Sequence, residues 1–433
     1  MRVTPLEDWI VERTNIGDKS QEALKAYQLR ELLKTLTYAK EKSRFYHAKL
    51  KESDVTSMQS LKDFERIVFT TPEEIKQNAS DFVCVPLHDI ERIVTLNTSG
   101  TTGDEKRIYF THEDLKATID FFQQGMRCLV DASDRVMVLL PGPSYGSIGD
   151  LLKKALALSK IECIVQGVLS DVELTAQRIE ENAITCLVGI PMQVLYLSRM
   201  KPKLFYTHIK KVLLSTDYVP DALVEELSHQ GDCRVFTHYG MTEMGYGGGV
   251  ECECLKGYHL RENDVYFEII DPTTGELVED GVYGEVVFTT LKREAMPLIR
   301  YRTGDRARFM TTPCACGTFL RTMEKVQGRI ENKANLHGHE IHLRDFDEIL
   351  LRFSSVLDYT LTVCENNTLH VKLIRAHQER SIALKEEIIR RIRAHFLCEF
   401  NLRIDVEKDD PSIKITHSMI KRKLHDCRQG EKR

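Results

Sequence analysis

The chain has 433 residues, 42% apolar and 29% charged, with a net charge of -5. That length exceeds what one compact core holds, so two domains are expected, and the composition is that of a globular rather than a disordered chain. The negative balance argues against a general nucleic-acid binder, which needs a basic face.

The first nine residues, Met1 to Trp9, carry Arg2, Glu7 and Asp8 where a signal peptide needs an apolar run. No stretch approaches ~20 uninterrupted apolar residues, so no membrane span is expected and the predicted location is cytoplasmic. Residues 19–50 read as one helix, with Leu24, Leu29, Leu32, Leu33 and Leu36 at spacings of three and four. Apolar Ile93–Leu96 precedes a loop rich in hydroxyls and glycine. From 135 to 240 short apolar strands (135–140, 161–165, 184–189, 211–215 and 234–238) alternate with helix-length amphipathic segments, the pattern of a largely parallel sheet flanked by helices. Residues 265–310 are rich in Val, Ile, Phe and Tyr and carry the turn signals Asp271–Gly275 and Glu279–Gly281, which predicts an antiparallel β region. The predicted class is thus α/β, with mostly parallel sheets plus an antiparallel region in a domain spanning 1–327. Residues 328–433 read as a small α+β domain: a helix, strands at 359–363 and 368–374, a helix near 380–397 and a strand at 402–406. No linker separates the two, so the join is expected to be a hinge.

Four fragments carry chemistry. Thr98, Ser99, Gly100, Thr101, Thr102 and Gly103 lead to Asp104, Glu105 and Lys106. Hydroxyls and glycines in this density let backbone amides close around phosphate oxygens, although the composition alone also fits an ordinary surface turn. The loop lacks the Gly-Lys-Ser/Thr ending of a Walker motif. Tyr239, Gly240, Met241, Thr242 and Glu243 follow a strand end, where open α/β sheets bind ligands. Tyr239 offers a stacking face, Thr242 a hydroxyl, and Glu243 a hard oxygen for Mg²⁺. Tyr301 to Asp305 supplies a carboxylate able to accept two ribose hydroxyls. Gly328, Arg329, Ile330 and Glu331 open the tail. Each fragment alone reads as a loop with a solvated charge; in this order they point to one site.

With these motifs the chain resembles the adenylate-forming superfamily of acyl-CoA synthetases, peptide-synthetase adenylation domains and luciferases, and within it the phenylacetate–CoA ligase branch. The likeness covers nearly the whole chain and is densest over Tyr266–Pro272, Gly284–Leu291 and Met296–Asp305. It implies ATP, Mg²⁺ and coenzyme A as cofactors and a small-molecule carboxylic acid as substrate. The acid is activated to an acyl-adenylate and passed to the thiol, with loss of pyrophosphate and then AMP. The segment Thr98–Gly103 would orient the β- and γ-phosphates. Tyr239, with Gly240 and Met241, would hold adenine, Thr242 would touch the α-phosphate, Glu243 would bind Mg²⁺, Asp305 would bind the ribose with Arg329 nearby, and Glu331 would mark the hinge.

Two segments depart from the family pattern. Glu105 stands where Pro is usual, placing a carboxylate near the expected triphosphate unless it faces solvent. In the tail, Ser418 and Met419 stand where Gly and the catalytic Lys belong, which leaves Lys421, Lys423 or Lys414 as the cation; Lys421 is taken as the candidate. Two rival functions follow: an adenylyltransferase working without coenzyme A, like the deazaflavin-adenylylating relatives, and a catalytically weak nucleotide-binding homologue.

Twelve cysteines occur. Cys84, Cys128, Cys163, Cys186, Cys233, Cys364 and Cys398 sit singly among apolar residues and read as buried thiols. Cys252 with Cys254, and Cys314 with Cys316, form two Cys-x-Cys pairs, which in a chain without a secretory signal suggest a metal. Some phenylacetate–CoA ligase relatives are similar here, and that likeness singles out Cys252, His259, Cys314 and Cys316 as a structural zinc site, with Cys254 a competitor for Cys252. No nucleic acid or membrane partner is expected, and a homodimer is left open.

Overall fold

The computed structural model describes residues 2–96, 105–142, 144–229, 232–376, 381–398, 400–408 and 422–428. The architecture is α/β, with parallel strands between helices and separate antiparallel sheets. Two compact units emerge. One comprises Met1–Ser133, Gly142–Glu162 and Phe236–Val326; the other comprises Asp134–Pro141, Cys163–Val235 and Gln327–Arg433. Among the described residues no helix is long and apolar enough to cross a membrane.

In the first unit the helix expected over 19–50 is two. Gln21–Lys42 ends at Ser43, which takes an extended conformation and caps Arg44–Lys49 through its hydroxyl. A Ser side chain that accepts a backbone N–H competes with helix continuation, and an unbroken periodic pattern does not reveal it. The strands Arg92–Leu96 and Lys106–Phe110 pair antiparallel, and helix His112–Met126 follows through a capping box of Thr111 and Asp114. The antiparallel region predicted over 265–310 forms from Val265–Ile270, Gly284–Thr290 and Tyr301–Ala307. A second antiparallel set joins Gly249–Glu251, Tyr258–Leu260 and Thr322–Met323.

In the second unit Arg135–Leu139, Cys186–Gly189 and Lys211–Leu214 pair in parallel. The last two are apolar along most of their length because helices cover parallel strands on both faces. The tail contributes Val356–Val363 and Thr368–Arg375, antiparallel, with Asn401–Lys408 and Leu424–Asp426 added in parallel at the two edges. Its helices are Leu343–Leu350 and Ser381–Phe396. Leu187, Leu195 and Leu223 share one apolar cluster with Phe346, Leu350, Leu361 and Val371. Reciprocal caps reinforce the join. Arg199 Nη2 donates to the Leu351 carbonyl at 2.5 Å, and Glu348 accepts from the amides of Asp221 and Ala222 at 2.7 and 2.9 Å.

Candidate functional site

The hairpin register sets Leu96 opposite Lys106, so the two ends of the intervening loop lie side by side. Thr98, Ser99, Gly100, Thr101, Thr102 and Gly103 themselves lie outside the described residues. Glu105 is half-exposed and pairs with Arg107 at 3.2 Å, so its carboxylate faces solvent. Lys106 turns the other way, as strand alternation requires. Its ammonium is largely buried, donates to Glu243 Oε1, and lies 3.2 Å from the Tyr301 hydroxyl.

Tyr239 closes the strand Arg234–Tyr239, and a short turn over Thr242–Met244 follows. Gly240 is obligatory: a Cβ there would stand 2.0 Å from the Tyr246 carbonyl oxygen. The turn is held by the Tyr246 amide on the Met241 carbonyl at 2.8 Å and the Gly248 amide on the Tyr239 carbonyl at 2.9 Å. Glu243 is buried and accepts from Tyr301 at 3.2 Å. The Tyr239 hydroxyl donates to Asp305 Oδ2 at 3.2 Å, and Asp305 is buried.

Tyr301 to Asp305 is strand, in line with the antiparallel region expected over 265–310. Its residues alternate in burial, so Tyr301, Thr303 and Asp305 share one face, and that face meets the Tyr239–Glu243 turn. The structure therefore brings Tyr239, Glu243 and Asp305 together and adds Lys106 and Tyr301, which the sequence reading left without a role. Lys106 carried the available signal as the basic residue ending the loop motif. Beside the turn, His238 packs against Phe121 and Phe122, and burial holds its imidazole down to about 4, so it is neutral.

Arg329 belongs to the second unit, where it is half-buried beyond Gly328, and its carbonyl accepts the Asn332 amide at 3.1 Å. Ser418, Met419, Lys414 and Lys421 lie outside the described residues. Immediately after them Arg422 bonds Asp347 at 2.5 Å, with Tyr359 on the same carboxylate oxygen at 2.8 Å.

The Cys/His set converges in the first unit. The ligand atoms of Cys252, His259, Cys314 and Cys316 all lie within 4.8 Å of one another. Cys252 Sγ is 3.7 Å from Cys314 Sγ, and Cys316 Sγ is 3.6 Å from His259 Nε2. Tetrahedral zinc bonds set sulfur–sulfur edges of about 3.8 Å and sulfur–nitrogen edges of about 3.5 Å, so both edges fit. Cys254 is not a member of the set; its amide donates instead to Cys252 Sγ at 3.4 Å. Of the cysteines read as buried, Cys84, Cys128, Cys186 and Cys233 are so, whereas Cys163, Cys364 and Cys398 are half-exposed. Burial pushes Cys84, Cys128 and Cys233 up to about 12, which leaves them protonated and inert.

A hairpin flanking a hydroxyl-rich loop, a tyrosine bonded to a strand carboxylate, and a buried acid paired with the loop lysine define the class of adenylate-forming enzymes. Residues 20–291 match the family model described as AMP-binding enzyme, and the chain belongs to that family. The phenylacetate-coenzyme A ligase of Thermus thermophilus is 26% identical over 94% of this chain and 90% of its own length. That of Escherichia coli is 25% identical over 86% of each chain. A solved 2-hydroxyisobutyryl-CoA ligase superposes with a TM-score of 0.80 at 18% identity, covering 94% of this chain and 90% of that one.

Proposed function

We propose that this enzyme uses ATP to activate a carboxylic acid as its acyl-adenylate and transfers the acyl group to coenzyme A. The supporting observation is the convergence of Lys106, Glu243 and Tyr301 beside Tyr239 and Asp305, from segments as far as 137 and 195 positions apart. Similarity to acid–coenzyme A ligases over most of the chain agrees with it.

In this reading Thr98–Gly103 cradle the β- and γ-phosphates, Tyr239 with Gly240 and Met241 lies against adenine, and Asp305 accepts the ribose hydroxyls. Thr242 contacts the α-phosphate, Arg329 lies near the ribose, and Lys421 supplies the tail cation. Glu243 would hold Mg²⁺, which neutralises phosphate charge when bound. The Lys106 ammonium now occupies that carboxylate, and the incoming triphosphate offers it a second anionic partner. Positioning and charge neutralisation suffice for the chemistry, and no covalent enzyme intermediate is required. The acid oxygen attacks the α-phosphorus as pyrophosphate leaves, and the thiol then displaces AMP.

Residues 328–433 are in this reading a small C-terminal domain that opens at Gly328 (φ 101°). Cys252, His259, Cys314 and Cys316 hold a structural zinc that ties the segment after Glu243 to the strand Thr322–Met323. ATP–pyrophosphate exchange across a panel of carboxylic acids tests the reading: exchange that depends on one class of acid supports it, and none with any acid overturns it.

A further inference from the structure

Beyond the turn that carries Thr242 and Glu243 lies a pair of buried arginines to which the reaction assigns nothing. Arg261 and Arg293 have side chains only 4% and 6% exposed. Both reach Gly245, which has a φ of 79° and no side chain. The position of its absent Cβ lies 3.1 Å from Arg293 Nη1, 3.4 Å from Thr118 Oγ1 and 3.8 Å from Arg261 Nη1.

The hydrogen bonding is incomplete on the side facing Gly245. Arg261 spends Nε and Nη2 on Asp264 at 2.9 and 2.7 Å, and Nη2 also on the Ala117 carbonyl at 2.9 Å. Arg293 spends Nη2 on the Tyr109 carbonyl at 3.1 Å. Its Nε is buried without a hydrogen bond among the described residues, 3.3 Å from Asp114 Oδ2. That carboxylate already accepts the amides of Thr111, Glu294 and Ala295 at 3.0, 2.9 and 3.1 Å. Neither Nη1 has an acceptor among the described residues. Thr118 Oγ1 lies 3.1 Å from the carbonyls of both Asp114 and Gly245. Two buried guanidiniums side by side, one of them poorly compensated, are costly unless an anion completes them.

Its place selects the anion. Arg293 Cζ sits 4.0 Å from the centre of the Phe110 ring, and Phe110 stacks on Tyr246. Gly245 lies three residues beyond Thr242 and two beyond Glu243. An acid whose reacting carboxylate lies at the Thr242 turn can therefore direct its far end to Gly245.

We propose that Arg261 and Arg293 form an anion subsite at Gly245 that selects acids carrying a second anionic group, a dicarboxylic acid in the first instance. The inference rests on the acid-activating reading above. Paired Nη1 donors suit a carboxylate, which takes two N–H bonds at once. The test is kcat/KM in ATP–pyrophosphate exchange for succinate, glutarate, adipate and benzene-1,4-dicarboxylate against butyrate, valerate, hexanoate and benzoate.

For at least one pair the diacid should exceed its monoacid by roughly tenfold or more, the worth of a charged hydrogen bond. Arg293→Gln and Arg261→Gln should each cut that ratio by a similar factor, with folding verified by thermal melting. Wild-type preference for the monoacid in every pair overturns the subsite alone, as does an equal loss for both acids in the variants. If either variant fails to fold, the wild-type preference decides by itself. Exchange with no acid at all overturns the acid-activating reading and the subsite with it.

Discussion

The Lys106 ammonium donates to the Glu243 carboxylate across 137 positions of sequence, and both side chains are largely buried. Removing one member of a buried pair strands the other charge, at a cost of about 3–5 kcal/mol. Glu243→Gln should therefore lower thermal stability as well as turnover, the latter by roughly 10²-fold or more if a metal is held there. Lys106→Met should lower stability similarly, and the double variant should lose less than the sum. Additive losses in melting experiments would separate the two residues.

Tyr239 and Asp305 give a milder and more specific prediction. Tyr239→Phe keeps the ring but removes the hydroxyl that Asp305 accepts at 3.2 Å. One hydrogen bond is worth about 1 kcal/mol, so KM for ATP should rise about fivefold with kcat little changed. Asp305→Asn should raise it further. An unaltered KM in both variants would detach the strand Tyr301–Ala307 from nucleotide binding.

The metal reading is checked by composition. Purified protein should carry about one zinc per chain, and Cys314→Ser should lose zinc and thermal stability together, because ligation is coupled to folding. Cys254→Ser should retain the metal, since the converging set is Cys252, His259, Cys314 and Cys316 and the backbone amide of Cys254 donates to Cys252. A metal-free protein of undiminished stability would refute the site.

Glu262 sets a pH dependence. Burial, partly offset by Arg321, raises its carboxyl from 4.5 to about 7, and its Oε2 has no hydrogen-bond partner among the described residues. A raised carboxyl binds its proton more tightly in the folded state. Its stabilising contribution is complete below pH 4.5 and is lost as pH rises to about 7. The change is about 3 kcal/mol. Glu262→Gln should remove that slope from unfolding free energies measured across the interval, and should be the more stable form above it. An unchanged slope would assign the titration elsewhere.

The tail cation is tested by substitution. If Lys421 supplies it, Lys421→Ala should abolish adenylation and Met419→Lys should add nothing. If the position of Met419 is the operative one, Met419→Lys should instead raise the rate, by up to the several kcal/mol that a positioned cation supplies. Consumption of a preformed acyl-adenylate with coenzyme A should be little affected either way.

Much of this was legible in the sequence. The strands at 135–139, 186–189 and 211–214 and the tail strands and helix between 356 and 408 follow from periodicity, because parallel strands and amphipathic helices write their burial into local pattern, whereas the hairpin of 333–336 with 339–342 and the strand 424–426 were not read. The Ser43 break was hidden because helical spacing continues through it. Lys106 and Tyr301 were quoted within motifs yet given no role, since their meeting with Glu243 depends on how two strands and a turn converge. The choice of Cys252 over Cys254 was likewise a matter of strand register: Val250 pairs with His259, and Cys252 follows the end of that strand. The unpaired arms of Arg261 and Arg293 leave no sequence signature at all.

Coenzyme A-dependent release of AMP tests the central claim most directly. Wild-type protein given ATP, Mg²⁺, coenzyme A and an acid that supports pyrophosphate exchange should release AMP and form the acyl thioester in equal amounts, with little AMP when coenzyme A is omitted. AMP release indifferent to coenzyme A, or AMP found attached to a hydroxyl of the small molecule, would contradict the account.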